Sequence, residues 1–401
     1  MNTNLASIGS MAVQEFLQKH EHDDVSTLIL KYGNVDGVQM SVIANQIDGR
    51  RKAREKIPLY YNTRGVIYPP GINMEQCSSE ATARFKATIV HKLISDRQSF
   101  IDLSGGFGVD TLFIGYEFKE GAMVEPDEIL LDISAHNHSL VGIRHINYEN
   151  IKAEEFFNKG AKNYSLFYID PSRRSRSHRK VYSLKDCIPD VTVLLDKIFQ
   201  QSKYLLLKAS PLLDITQGLT EIPFTSNVYI VSVNNECKEL LFFAQKGFSG
   251  VVTITASNIA REDTSYSFTV TDEQEATASF SDPLRYIYEP NAALLKAGAF
   301  KLIGLWFNLH KLAPSTHLYT SEELVRNFPG RTFEIRAFVK PRAKLLKQYY
   351  PDGKANITVR NYPMSVHDLK IATGLQDGGD KFLIGFSGQT KKFLAVAEKL
   401  S

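Results

Sequence analysis

The run Phe100-Ile101-Asp102-Leu103-Ser104-Gly105-Gly106-Phe107-Gly108-Val109-Asp110 joins an apolar strand, a carboxylate and three glycines just before a helix-like segment. Glycine lets the backbone close on a ligand and a helix start offers free N–H groups, so this turn suits a nucleotide. A tight strand-to-helix turn with no ligand is the plainer alternative. Glu125 follows Asp102 by 23 residues and ends the next strand-like run, where a ribose diol would lie. The turn lacks the third glycine of a dinucleotide fingerprint: Asp110 and Thr111 follow Gly108, and a carboxylate there repels pyrophosphate. S-adenosylmethionine (SAM) has no phosphate and a cationic methionine end. Asp102, Ser104, Gly106, Phe107, Gly108, Asp110 and Glu125 are therefore expected to hold SAM, with a dinucleotide as the weaker alternative.

A second group is Tyr168-Ile169-Asp170-Pro171-Ser172-Arg173-Arg174, at the end of another apolar run. An Asp-Pro step there fixes an extended turn. Asp170 is placed to accept a hydrogen bond from a substrate N–H, so that alignment and proton handling, with Pro171 and Arg173 beside it, form the expected catalytic element. The plainer reading is a solvated loop after a strand. Behind it Arg173, Arg174, Arg176, His178, Arg179, Lys180 and Lys185 precede the first acid, Asp186. Such runs are usually solvated surface, yet beside a cleft Arg173, Arg174, Arg176, Arg179 and Lys180 are expected to touch substrate phosphates. Cys237 sits among charged residues of a predicted hairpin and is read as a structural thiol rather than a nucleophile. His136 and His138 fall on different faces of a predicted helix, and the ten histidines show no ligand spacing. No metal site is expected.

The elements that would position these groups alternate between strand and helix. Strand-like runs at 99–103, 121–125, 146–151, 165–170 and 204–209 are separated by helical stretches, which predicts a mostly parallel sheet covered on both faces. Val228–Val233 and Leu240–Gln245, joined by Asn234-Asn235-Glu236-Cys237, read as a closing antiparallel pair. The first 75 residues are helical in pattern, with faces at 11–18 and 25–31 and a basic run at Arg50, Arg51, Lys52, Arg54 and Lys56. A helix over Glu80–Ile94, with Ala81, Phe85, Ile89, Val90 and Leu93 on one face, leads into the first strand. Further on, 272–281 resembles a linker and Pro290–Leu305 a single helix, before strands at 332–339 and 356–359.

A length of 401 residues predicts two or three domains, and 43% hydrophobic with 23% charged residues reads as ordinary globular protein. No run approaches the roughly 20 apolar residues of a membrane span and no secretory leader pattern opens the chain, so a cytoplasmic location is expected. Three scattered cysteines suit a reducing compartment. Net charge is only +3, but residues 331–401 hold 13 Lys/Arg against 6 Asp/Glu. The basic part is the tail.

Together these segments resemble the class I SAM-dependent methyltransferases, and more closely a bacterial group that adds a ferredoxin-like segment and a C-terminal THUMP-like domain. The resemblance rests on Glu75-Gln76-Cys77-Ser78-Ser79-Glu80, the Asp102–Thr111 turn, Asp170-Pro171-Ser172-Arg173-Arg174 and Lys208-Ala209-Ser210-Pro211-Leu212-Leu213-Asp214. It extends through Asn235–Leu240, Tyr288-Glu289-Pro290-Asn291-Ala292-Ala293 and Asp377-Gly378-Gly379-Asp380. It implies an α/β fold with a Rossmann-like seven-stranded methyltransferase sheet, an N-terminal helical region and a C-terminal α+β THUMP-like region. The implied domains are 1–78, helical; 79–258, SAM-binding; 282–328, ferredoxin-like; and 329–401, THUMP-like and RNA-binding. It further implies SAM over the glycine turn, Glu125 on the ribose hydroxyls, Asp170-Pro171 beside the methyl group, and tRNA or rRNA as partner. Two positions depart from the pattern. Ser104 replaces a common glycine, and Ser172-Arg173 replace a proline and an aromatic, so the acceptor atom stays open between nitrogen and carbon. A non-catalytic RNA-binding protein and a nucleotide-dependent oxidoreductase are the alternative functions.

Overall fold

Apolar runs flanked by glycine and polar turns become the strands of a central sheet in this computed structural model, which describes residues 3–160, 162–173 and 183–400. They are β1 (Ser99–Asp102), β2 (Glu120–Val124), β3 (Ile146–Glu149), β4 (Tyr164–Ile169), β5 (Ser202–Ala209), β6 (Thr225–Val233) and β7 (Glu236–Gln245). Their order is β6-β7-β5-β4-β1-β2-β3. The five strands from β3 to β5 pair in parallel, and β7 runs antiparallel to β5. Asn234 and Asn235, both at positive φ, make the tight turn between β6 and β7. Because the chain runs outward through β2 and β3 and then returns to β4 on the other side of β1, the crevice of the sheet opens at the carboxyl ends of β1 and β4. Asp102 and Asp170 stand at those two ends.

The chain divides into two compact units, 1–227 with 239–250, and 228–238 with 251–401. In the first, the sheet is joined by α1 (Met11–Lys19), α2 (Val25–Lys31), α3 (Met40–Lys56), α4 (Glu80–Leu93), α5 (Val109–Gly115) and α6 (Glu128–Leu140). Ser10, Asp24, Ser79 and Asp127 cap the starts of α1, α2, α4 and α6 with their side chains. The basic run of α3 is largely internal bracing. Arg50 pairs with Glu21, Lys52 with Glu75, and the Lys56 ammonium donates to the carbonyls of Met74 and Glu75. α4 buries Thr82, Ala83, Lys86, Ile89 and Val90. That face is rotated from the expected one and takes in a lysine, for a reason found in the site.

The second unit contains β8 (Thr253–Ile259) paired with β9 (Thr264–Thr269). A seven-stranded sheet follows, built from β10 (Tyr286–Pro290), β11 (His310–Ala313), β12 (Thr316–Ser321), β13 (Gly330–Phe338), β14 (Asn356–Arg360), β15 (Lys381–Ser387) and β16 (Lys392–Lys399). Its order is β11-β12-β10-β13-β16-β15-β14, and β14–β15 is a parallel pair. Leu383 and Ile384, neighbours on β15, enter different apolar clusters, one with Leu369 and Val396, the other with Ile287 and Phe333. Two expectations are corrected here. The linker at 272–281 begins as a helix, Val270–Glu275, because Thr269 and Asp272 form a capping box. The helix expected over Pro290–Leu305 is the end of β10 and two short helices, Ala292–Ala297 and Leu302–Trp306, separated where Gly298 turns left-handed at φ +82. Part of the basic surplus of the tail is paired: Arg331 and Arg360 both meet the buried Glu289. Among the described residues no helix is long and apolar enough to cross a membrane.

Candidate active site

The glycine turn owes its path to two close approaches. A Cβ on Gly105 would stand 2.4 Å from the Met123 side chain, and Gly108, at φ +72, would bring one 2.7 Å from His138 Nε2. His138 lies within the core: its Nε2–H donates to the Gly108 carbonyl at 2.8 Å and its Nδ1 accepts from the Tyr148 hydroxyl at 2.9 Å. Burial pushes this imidazole down to about 4, so it is a neutral brace for the turn.

The carboxylates at the strand ends secure the loops to one another. Asp102 is buried, and its Oδ1 accepts from the Ser104 N–H at 2.8 Å and hydroxyl at 3.0 Å, while Oδ2 accepts from Thr111 at 2.5 Å. Burial outweighs these bonds and pushes its carboxyl up to about 7. The Ser104 hydroxyl also accepts from the Asp170 N–H at 2.6 Å. The serine that departs from the common glycine therefore ties the β1 loop to the β4 loop. Glu125 accepts from the Gly106 N–H at 2.8 Å and the Asp127 N–H at 2.9 Å, and burial raises its carboxyl from the ordinary value. Phe107 is buried edge-on against Tyr60.

Asp110 points inward, into a cluster that the sequence reading missed. Its Oδ2 accepts from Ser78 at 2.7 Å and from the Tyr168 hydroxyl at 2.6 Å. The Lys86 ammonium, fully buried, lies 3.0 Å from Asp110 and 2.7 Å from Glu239. Lys208 lies 2.6 Å from Asp170, 3.1 Å from Ser78, and 3.9 Å from both Asp110 and Glu239. Burial acts to raise Asp110, but Lys86 and Lys208 prevail and hold it at about 2. Glu239, deeper in β7, ends above its ordinary value because burial prevails over the same two lysines. Lys208 is held as an ammonium: burial opposes its charge, and Asp170, Asp110 and Glu239 more than restore it. Lys86 was the readable signal, a cation at helical spacing between Thr82 and Val90 on a face that must be buried.

These groups border a pocket of about 270 Å³ between the glycine turn, Cys77-Ser78 and the β4 loop. Asp102, Ser104, Phe107, Gly108, Asp110 and Asp170 are brought together in its lining, while Gly106 and Glu125 support the turn from outside it. The lining holds three carboxylic acids and no lysine or arginine. Pro171 follows directly. Ser172 and Arg173 form a short strand paired with Ile188 and Cys187. Arg174, Arg176, Arg179 and Lys180 lie outside the described residues. Cys237 is half-buried at the start of β7, away from the pocket lining.

Comparisons place this geometry among known structures. A ferredoxin-like domain model matches residues 286–329 and a THUMP domain-like model matches 330–399. The crystal structure of a proposed methyltransferase from Porphyromonas gingivalis W83 is similar at a TM-score of 0.83 and 27% identity, over 98% of each chain. Shorter matches include another proposed methyltransferase, from Streptococcus mutans, in complex with SAH (TM-score 0.31, 10% identity, 40% of this chain and 95% of that one). TrmK of M. capricolum, also with SAH, matches at 0.31 and 13% identity over 41% and 69%. A comparison with curated proteins finds no match. The chain is a mixed α/β protein with the sheet of a class I methyltransferase, carrying a ferredoxin-like domain and a C-terminal THUMP-like domain.

Proposed function

We propose that the protein is a SAM-dependent methyltransferase that modifies a base in RNA, tRNA or rRNA. The observation that carries this reading is the acid-lined pocket at the switch point of the sheet, where the glycine turn after β1 meets the Asp170 loop after β4. The lining fits a ligand that is cationic at its methionine end and repels a pyrophosphate. SAM, when bound, supplies a methyl group activated on a positive sulfur. Asp102, Ser104, Gly106, Phe107 and Gly108 would hold it, Asp110 would line the floor from its buried pairs, and Glu125 would stand at the ribose. Lys208 occupies Asp170 Oδ2, which leaves Oδ1 to accept the N–H of the acceptor and fix its lone pair. Pro171 fixes the loop, and Arg173 with Arg174, Arg176, Arg179 and Lys180 would grip phosphates.

The THUMP-like domain and the basic surplus of 331–401 support RNA as the partner, and the protein that resembles this chain end to end is itself named a proposed methyltransferase. A cytoplasmic site of action belongs to the same reading. The test has two stages. Calorimetric titration with SAM and SAH is expected to show binding, and absence of both ends the reading. RNA from a strain lacking the gene, incubated with protein and methyl-labelled SAM, is expected to take up label. Tight RNA binding with no label would point instead to a non-catalytic RNA-binding protein.

A further inference from the structure

The two lysines of the site contact the same three groups, Asp110, Glu239 and the Ser78 hydroxyl. They differ in what else they reach. Lys86 is fully enclosed, whereas Lys208, with 13% of its side chain exposed, also meets Asp170, which is 34% exposed and lines the pocket. Two ammonium groups and the two buried carboxylates balance, so Asp170 supplies one negative charge in excess. That charge faces the pocket, and its nearest cation, Lys208, stands behind it and outside the lining. Asp102 adds negative charge to the same wall as it ionises.

We propose that the Asp170–Lys208 pair makes this pocket select the methylated, cationic cofactor over its demethylated product. The inference rests on the SAM reading above. SAM carries a sulfonium, an ammonium and a carboxylate, for a net positive charge, while SAH has lost the sulfonium charge and is a neutral zwitterion. The two ligands otherwise differ by one methyl group, which shape alone distinguishes weakly. An uncompensated carboxylate in a partly enclosed pocket attracts the first and is indifferent to the second. Lys208 sets the strength of that preference by partly neutralising Asp170, and transfer of the methyl group removes the attraction, which favours product release.

The test is the ratio of SAM to SAH affinity, measured by titration calorimetry on the full chain with no acceptor present. Asp170→Asn is expected to weaken SAM about tenfold and leave SAH within about threefold. Lys208→Met is expected to move the ratio the opposite way, by a similar factor. Damage to the fold moves both ligands together and cannot give ratios of opposite sign. Should Lys208→Met not fold, the wild-type ratio measured from about 0.02 M to about 0.5 M salt replaces it, and is expected to fall as screening grows. If both ligands bind and Asp170→Asn leaves the ratio unchanged, or the ratio is independent of salt, the selection proposal is overturned while the SAM reading stands. If neither ligand binds the wild type, both are overturned.

Discussion

Replacing Lys86 with methionine would remove the cation from the most enclosed part of the site while keeping a side chain of similar length. The Lys86 ammonium lies 2.7 Å and 2.9 Å from the two oxygens of Glu239 and 3.0 Å from Asp110. Without it, Lys208, at 3.9 Å from each, is the remaining cation for both carboxylates. Breaking a buried pair in this way costs about 3–5 kcal/mol, since the stranded charge has lost water and gained no partner. The packing loss is small by comparison, because methionine fills most of the volume. The pH dependence gives the effect a signature. Asp110 is held at about 2, below its ordinary 3.8, so in the wild type it stabilises the fold at neutral pH and that contribution fades as pH falls below about 4. In K86M burial prevails, both carboxyls rise above their ordinary values, and their ionisation destabilises the fold. Each pKa unit of rise is worth about 1.4 kcal/mol at neutral pH. The K86M penalty should therefore shrink as pH falls from about 8 to about 5. The single tryptophan, Trp306, lies in the second unit, so the readout is hydrogen exchange of the 80–93 amides in urea. A penalty below about 1 kcal/mol, or one that is constant with pH, refutes the assignment. The double variant K86M/E239L, which removes the stranded charge as well, should recover most of the loss.

Three other perturbations probe the turn. SAM affinity should rise with pH through about 7, where buried Asp102 ionises to face a cationic ligand; Asp102→Asn should flatten that profile, as read by calorimetry at pH values from about 6 to about 8. The same raised carboxyl costs the empty fold stability as pH climbs from about 4 to about 7, so Asp102→Asn should be the more stable protein at the upper end. Gly108→Ala places a Cβ 2.7 Å from His138 Nε2 at a positive φ, and should cost about 1–3 kcal/mol in urea unfolding together with measurable SAM affinity. Ser104→Ala leaves the Asp170 N–H without its acceptor; methyl transfer into RNA should drop at least about tenfold with SAM affinity within about threefold.

The pieces of this fold that were legible in the sequence are those fixed by local chemistry. Asp102 through Gly108 could be read because glycines at a strand end have few other uses, and α4 and α6 because Ser79 and Asp127 announce them. The order that sets β1 between β2 and β4 depends on pairings between distant segments, which local pattern does not encode; it came instead through resemblance. The same limit hid the charge cluster. Lys86, Lys208 and Glu239 each look like a solvated charge until 153 residues of intervening chain are folded and two of them meet. Asp110 was read as facing a ligand, and it does line the pocket, but its bonds run inward to Ser78, Tyr168 and the lysines. Ser104 was read as a departure of uncertain effect because a hydroxyl that joins two loops has no local signature. Pro290 through Leu305 failed for a different reason: Gly298 at a left-handed φ ends one short helix within a run whose composition suits a longer one.

The distance along the chain between Lys86 and Glu239 also bears on how the protein is made. Lys86 leaves the ribosome 153 residues before its carboxylate partner, about 8–30 s earlier at ordinary rates of synthesis. During that interval α4 holds a cation on the face that will be sealed, and that face cannot dehydrate without stranding the charge. The arrival of β7 supplies the counter-charge and completes the antiparallel edge beside β5 in one event. The nascent sheet is thereby kept from closing around an incomplete pocket.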